Sequence, residues 1–159
     1  MKKSSTVFLQ AVIVLIGLVA LILMIRLPQL EGRAANLDVV SIYADPFILY
    51  GYATSIAFFV ALFKAFKLLG YVGQNKIFST DSVNALKSIK YCAIAFGALI
   101  ALAGIYIMIS HHQDDDPAGF IALCIVVVFS STVVATAAAI LEKVLQNAID
   151  MKAENDLTI

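Results

Sequence analysis

The chain has 159 residues, of which 62% are hydrophobic and 14% charged, and its mean hydropathy is +0.95. Soluble domains are usually about 45 to 50% apolar, so this composition excludes an ordinary soluble globule and places the chain in the membrane class. The formal net charge is zero and the arginines are Arg26 and Arg33, so there is no dense basic patch of the kind that direct nucleic-acid binding needs.

Val7 to Ile25 forms nineteen residues with Gln10 as their one strongly polar member. At about 1.5 Å per residue such a helix crosses a hydrocarbon core of about 30 Å, which makes it span one. A cleaved signal peptide would have a shorter apolar core, and the nearest small-x-small sequence, Gly32-Arg33-Ala34, carries an arginine, so the segment is read as retained. Leu27-Pro28 is expected to end this helix, and the residues from Gln29 to Asp45 to form an extracytoplasmic loop resting partly on the interface.

Asp45-Pro46 is a helix start, because the carboxylate caps free N–H groups and proline has none to leave unsatisfied at the first helical position. Span two runs from Phe47 to about Leu69, with Lys64 and Lys67 in its last turns. The stems of these lysines lie along the apolar region while their ammonium groups stay wet. Gly70 to Lys76 reads as a turn, and Ser79 or Thr80, followed by Asp81, begins the next helix.

Val83, Leu86, Ile89 and Ala93 recur about every three residues and lead without a break into span three, Tyr91 to Ser110. The connector HHQDDDP is short and acidic. Asp116-Pro117 repeats the start signal, and span four follows from Phe120 to Leu141. This last helix continues beyond the apolar stretch, with Leu141, Val144, Leu145, Ala148 and Ile149 on one face and Glu142, Lys143, Gln146, Asn147 and Asp150 on the other.

The four spans place nine of the eleven basic residues on one side, leaving Arg26 and Arg33 on the other. Lysine excess marks the side that is not translocated, so both termini are expected in the cytoplasm, with the protein multi-pass in the cell (inner) membrane. The fold class is therefore an all-α integral membrane protein, one domain over 1–159. Its four transmembrane helices (7–25, 47–69, 91–110 and 120–141) form a bundle, and helices three and four extend into the cytoplasm. Small residues at four-residue spacing (Ala53, Ala57, Ala61, Ala65; Ala93, Gly97, Ala101; Ser131, Ala135, Ala139) allow close helix approach within the bundle, with a homo-oligomer seam as the alternative.

Reaction chemistry is not written in the sequence. There is no HExxH helix, phosphate-binding glycine loop or paired nucleophile and base, so no catalytic residue and no cofactor is expected, and the chain is read as a non-enzyme. No ionisable residue sits at the middle of a span, which counts against ion-coupled transport. The row Ser130, Ser131, Thr132 and Thr136 is expected to bond carbonyls one turn back or a neighbouring helix, and Ser131, Thr132 and Thr136 would line the path if an oligomer formed a small channel or transporter instead. His111, His112 and Asp114 to Asp116 have the composition of a divalent-cation site but are contiguous, so they are read as a solvated acidic loop with no metal. Cys92 and Cys124 are expected as thiols at opposite membrane depths, too far apart to pair.

Two stretches, Ile77 to Tyr91 (IFSTDSVNALKSIKY) and Leu141 to Ile159 (LEKVLQNAIDMKAENDLTI), resemble the hallmark segments of the bacterial YoaS-like membrane family, domain of unknown function 2975. The resemblance covers nearly the whole chain, with Phe78-Ser79 and the end from Glu154 to Ile159 as its most specific pieces. Members are often encoded beside a small helix-turn-helix transcription regulator, so the resemblance implies a regulatory membrane protein with such a cytoplasmic partner, besides the lipid bilayer itself. An antiparallel hairpin of helices three and four brings Asp81–Lys90 beside Leu141–Met151, with Val83, Leu86 and Ile89 on Val144, Leu145 and Ile149, and Lys87 or Lys90 near Glu142 or Asp150. The expected partner contacts are Phe78, Lys87, Lys90, Glu142, Glu154 and Asp156.

Overall fold

The computed structural model describes residues 3–30, 39–110 and 117–157, and these form helices without a strand. In chain order they are α1 (Lys3–Leu30), a short α2 (Val39–Tyr43), α3 (Pro46–Gly73), α4 (Thr80–Ser110) and α5 (Ala118–Leu157). Four helices are long and apolar enough to cross a membrane: Ser4–Arg26 within α1, Pro46–Gly73, Thr80–Ser110 and Ala118–Asn155. The four expected spans fall within α1, α3, α4 and α5.

Several boundaries follow the expected chemistry. The Asp45 carboxylate accepts from the Phe47 N–H at 2.7 Å, and Pro46 opens α3. Ser79 Oγ accepts from the Ser82 N–H at 3.3 Å ahead of α4, with Asp81 in its first turn. The Asp116 cap and the His111–Asp116 loop lie outside the described residues.

Two boundaries differ from expectation, each for a visible reason. Pro28 does not stop α1, which runs on to Leu30. A proline within a helix leaves the carbonyl four residues earlier without its N–H donor. Here that carbonyl belongs to Met24, and the Tyr52 hydroxyl of α3 donates to it at 3.1 Å, while the Tyr43 hydroxyl of α2 donates to the adjacent Ile25 carbonyl at 2.9 Å. The two tyrosine rings stack with centroids 6.4 Å apart. The connecting segment is thus not wholly loop; α2 holds Tyr43 where it meets the end of α1.

Nor does α3 stop at Gly70. It continues to Gly73, and Asn75, at φ 56, takes the left-handed conformation that ends it, with Lys76 N–H on the Tyr71 carbonyl (2.9 Å) and Asn75 N–H on the Val72 carbonyl (3.2 Å). These bonds form a Schellman-type cap, which asparagine tolerates better than most residues. Gly70 and Gly73 serve α1 instead. A side chain at Gly73 would meet Thr6 at 3.2 Å, and one at Gly70 would meet Gln10, whose amide donates to the Phe66 carbonyl at 3.3 Å.

The long helices pack in chain order, each antiparallel on the one before. The α3–α4 contact holds the Tyr50 hydroxyl on the Leu99 carbonyl (2.7 Å) and the Phe58–Phe96 ring pair (5.6 Å between centroids). The α4–α5 contact is the most extensive and the closest. A Cβ at Gly97 would lie 3.1 Å from Ser131 Cβ, and one at Gly104 would lie 3.3 Å from Cys124 Cβ. The small-residue rows of spans three and four thus face one another, while in α3 Ala53 of the corresponding row is exposed. Cys92 and Cys124 are free thiols.

Tyr52→Phe is expected to cost about 1 kcal/mol, because the Met24 carbonyl loses its donor in an apolar setting. That cost should shrink in a Pro28→Ala background, where residue 28 regains an N–H, as read from detergent-titrated unfolding by circular dichroism; an equal cost in both backgrounds overturns the capping account. On the α4–α5 seam, Gly97→Val should destabilise by about 2 kcal/mol through overpacking. Gly51→Ala, with nothing within 4 Å of the new atom, should be neutral or stabilising by about 0.5 kcal/mol in the same measurement.

Candidate interaction surface at the lysine-bearing ends of α4 and α5

From Tyr91 to Ser110 on α4, and from Ala118 to Leu141 on α5, neither helix carries a charge. Lys90 and Glu142 are the first charged residues past those stretches, and they meet: Lys90 Nζ lies 2.6 Å from Glu142 Oε2, with both side chains about one-fifth exposed. Lys90 also lies 5.0 Å from the centroid of the Tyr91 ring. Both side chains remain within reach of solvent, so the pair adds little stability and its main effect here is to fix the register in which the two helices leave the apolar zone.

Past the pair, both helices continue. Val83, Leu86 and Leu145 form a buried cluster, with Leu68, Ile77 and Ile149 packed around it, so α3 and the α3–α4 turn contribute as well as the hairpin. Ile89 is buried as expected. Val144 is not: it is 60% exposed, because position 144 lies a quarter-turn from Leu145 and Leu145 takes the inward place. α5 also outruns α4. With Lys90 opposite Glu142, Thr80 at the start of α4 lies near the level of Lys152, and Ala153 to Leu157 extend past it.

Of the six expected contacts, Lys90 and Glu142 are brought together. Lys87 is exposed on α4, Phe78 is 60% exposed in the turn before it, and Glu154 is exposed on the overhang of α5. Asp156 lies on the same overhang, with its side chain outside the described residues. Missed by sequence reasoning was Met151, 64% exposed and two turns beyond Val144 on the same side of α5. The seven-residue spacing was legible in the sequence; which face was already occupied was not.

The hydroxyls on α5 behave as helix-internal groups. Ser130, Thr132 and Thr136 donate to the carbonyls of Val126, Val128 and Thr132, each at 2.8 Å. Among the described residues no group of three or more His, Cys, Asp or Glu side chains is arranged to hold a metal ion.

Comparison with known proteins adds the family. No solved structure matches this chain. The uncharacterized membrane protein YoaS of Bacillus subtilis (strain 168) is 44% identical over 161 residues, covering 100% of both chains. The model of the family described as Protein of unknown function (DUF2975) matches residues 29–159. On that match and that full-length relative, this multi-span membrane protein belongs to the DUF2975 family.

Proposed function

We propose that the protein is a membrane-embedded regulatory anchor, set in the cell (inner) membrane with both termini in the cytoplasm, whose α4–α5 projection docks a small helix-turn-helix transcription regulator and holds it away from DNA. The orientation is supported by the nine lysines that four spans collect on one side. Lys76→Cys should then react with a membrane-impermeant thiol reagent only after the cells are opened, and Asp115→Cys without opening; the reverse pattern overturns the orientation.

The observation that carries the docking reading is apolar surface outside the uncharged stretches. Phe78, Val144 and Met151 are 60%, 60% and 64% exposed. Lipid accounts for exposed leucines and valines within a span, but not for a phenylalanine, a valine and a methionine among Lys87, Lys143 and Lys152. Exposed apolar groups rimmed by charge are a common mark of a protein contact. The partner's class comes from the family resemblance, and helix-on-groove docking of an amphipathic element suits a surface built from two adjacent helix ends.

The full chain in native membranes should capture a DNA-binding protein, and the paired change Val144→Asp, Met151→Asp should reduce capture at least tenfold, since one or two buried apolar anchors carry much of such an interface. Deletion of Glu154 to Ile159 should do the same. If no DNA-binding protein is recovered with the intact chain, or if both variants capture it normally, this function is wrong. A specific conductance in liposomes that is lost in Thr132→Val, Thr136→Val would instead establish the channel alternative.

A further inference from the structure

The α4–α5 pair has a second feature, on its membrane side. An open groove of about 460 Å³ runs between the two helices, floored by Ala93, Gly97 and Ala101 of α4 and by Ser131 and Ala135 of α5, and it ends at Lys90. A second recess of about 350 Å³ adjoins it, sharing Lys90 and Ala139 and lined further by Val83, Glu142, Lys143, Gln146 and Asn147. We infer that groove and recess together bind one anionic glycerophospholipid from the leaflet on the lysine-bearing side, acyl chain in the groove and phosphate in the recess.

Three observations fit that occupant better than a helix of a second copy. The first is length. From Lys90 to Ala101 is eleven residues, about 16 Å of helix, against about 15 Å for one leaflet of hydrocarbon. A packing helix would need a groove along the whole span, and the lining of this one stops at Ala101 on α4 and Val128 on α5, short of Gly104 and Cys124.

The second is polarity along the groove. Its membrane part is lined by small and apolar side chains, and its mouth carries two lysines and two amides against one carboxylate. Lys90 is tied to Glu142, and the Gln146 amide donates to Asp150 at 2.9 Å, which leaves Lys143, exposed, with Asn147 as the groups facing the recess. The balance of one positive charge suits a phosphodiester, and basic recesses between transmembrane helices on the lysine-rich side are where anionic head groups bind.

The third is the place of the ion pair. Lys90 and Glu142 stand where the uncharged stretches end, so the mouth of the groove lies at head-group level.

The test uses the full-length protein in bilayers of phosphatidylcholine containing a minor fraction of phosphatidylglycerol, followed by gentle extraction and native mass spectrometry of the retained lipid. Phosphatidylglycerol should be enriched on the protein over its bilayer fraction, with one molecule per chain. Lys143→Gln should lower that enrichment about tenfold, the loss of one charge-assisted contact, and Lys90→Gln should lower it too, by leaving the Glu142 carboxylate unpaired beside the phosphate. Ala98→Leu, which fills the groove from its exposed side without changing charge, should lower retention of both lipids.

Unchanged helicity in all three variants, and unchanged regulator capture in Ala98→Leu, which lies outside the docking surface, separate this outcome from failure to fold and from failure of the docking function. Equal retention of the two lipids overturns the inference. So does displacement of phosphatidylglycerol by free glycerol phosphate, which would make the recess a phosphate site, or efficient cross-linking of Ala98→Cys between copies, which would put a second chain in the groove.

Discussion

Everything on the lysine-bearing side hangs on how closely α4 and α5 approach. Lipid chains are as apolar as leucine, so burial alone does not draw two helices together in a bilayer; contact has to come from surfaces that fit. Gly97 against Ser131 and Gly104 against Cys124 supply that fit, each so close that an added side-chain carbon would need its neighbour to give way by a few tenths of an ångström. The separation and register set there continue through Lys90 and Glu142 into the Val83, Leu86 and Leu145 cluster. A wider seam would leave the ion pair out of reach and open the cluster to water, and the two projecting helix ends would no longer form one surface.

The first half of the chain is held by different means. α1 touches α3 through Thr6 at Gly73, Gln10 near Gly70 and, at its other end, the Tyr52 hydroxyl given to the Met24 carbonyl, while Tyr43 of α2 gives its hydroxyl to the Ile25 carbonyl. In hydrocarbon a main-chain carbonyl without a donor is costly, which is why a proline in a span calls for a neighbour to supply one. Thr6 and Thr54 go the other way: both hydroxyls are buried with no hydrogen-bond partner among the described residues, so their methyl groups are what they contribute to the packing.

Much of this fold is legible in the sequence because a bilayer imposes few solutions. Span number, the Asp45-Pro46 start and the continuation of the fourth helix past Leu141 all follow from hydropathy, capping and period. What was not legible depends on neighbours. Pro28 reads as a stop until Tyr52 is seen on the Met24 carbonyl that it frees and Tyr43 on the carbonyl next to it, and Gly70 reads as a turn until Gln10 is seen beside it. Val144 and Leu145 are equally apolar in the sequence, and the register of α5 on α4 chose between them. The pairing of Lys90 with Glu142 was within reach of sequence reasoning, since both flank uncharged stretches of similar length. The groove beside them was not, because a row of small residues does not say whether its far side is filled.

The order of packing also bears on how such a molecule is made. Each long helix after α1 packs on the one before it in the chain, so the main contacts join successive spans, with α3–α5 contacts such as Phe47 on Phe120 added when the last span arrives. A chain delivered into a membrane from its first residue onward can dock α3 on α1, then α4 on α3, then α5 on α4, as each emerges. Loop closure between adjacent spans is entropically cheap, and assembly of this kind proceeds without long-lived exposure of unpaired seams. The last of these steps is the one that joins Lys90 to Glu142, which means that the projecting surface comes into existence only once the fourth span has docked.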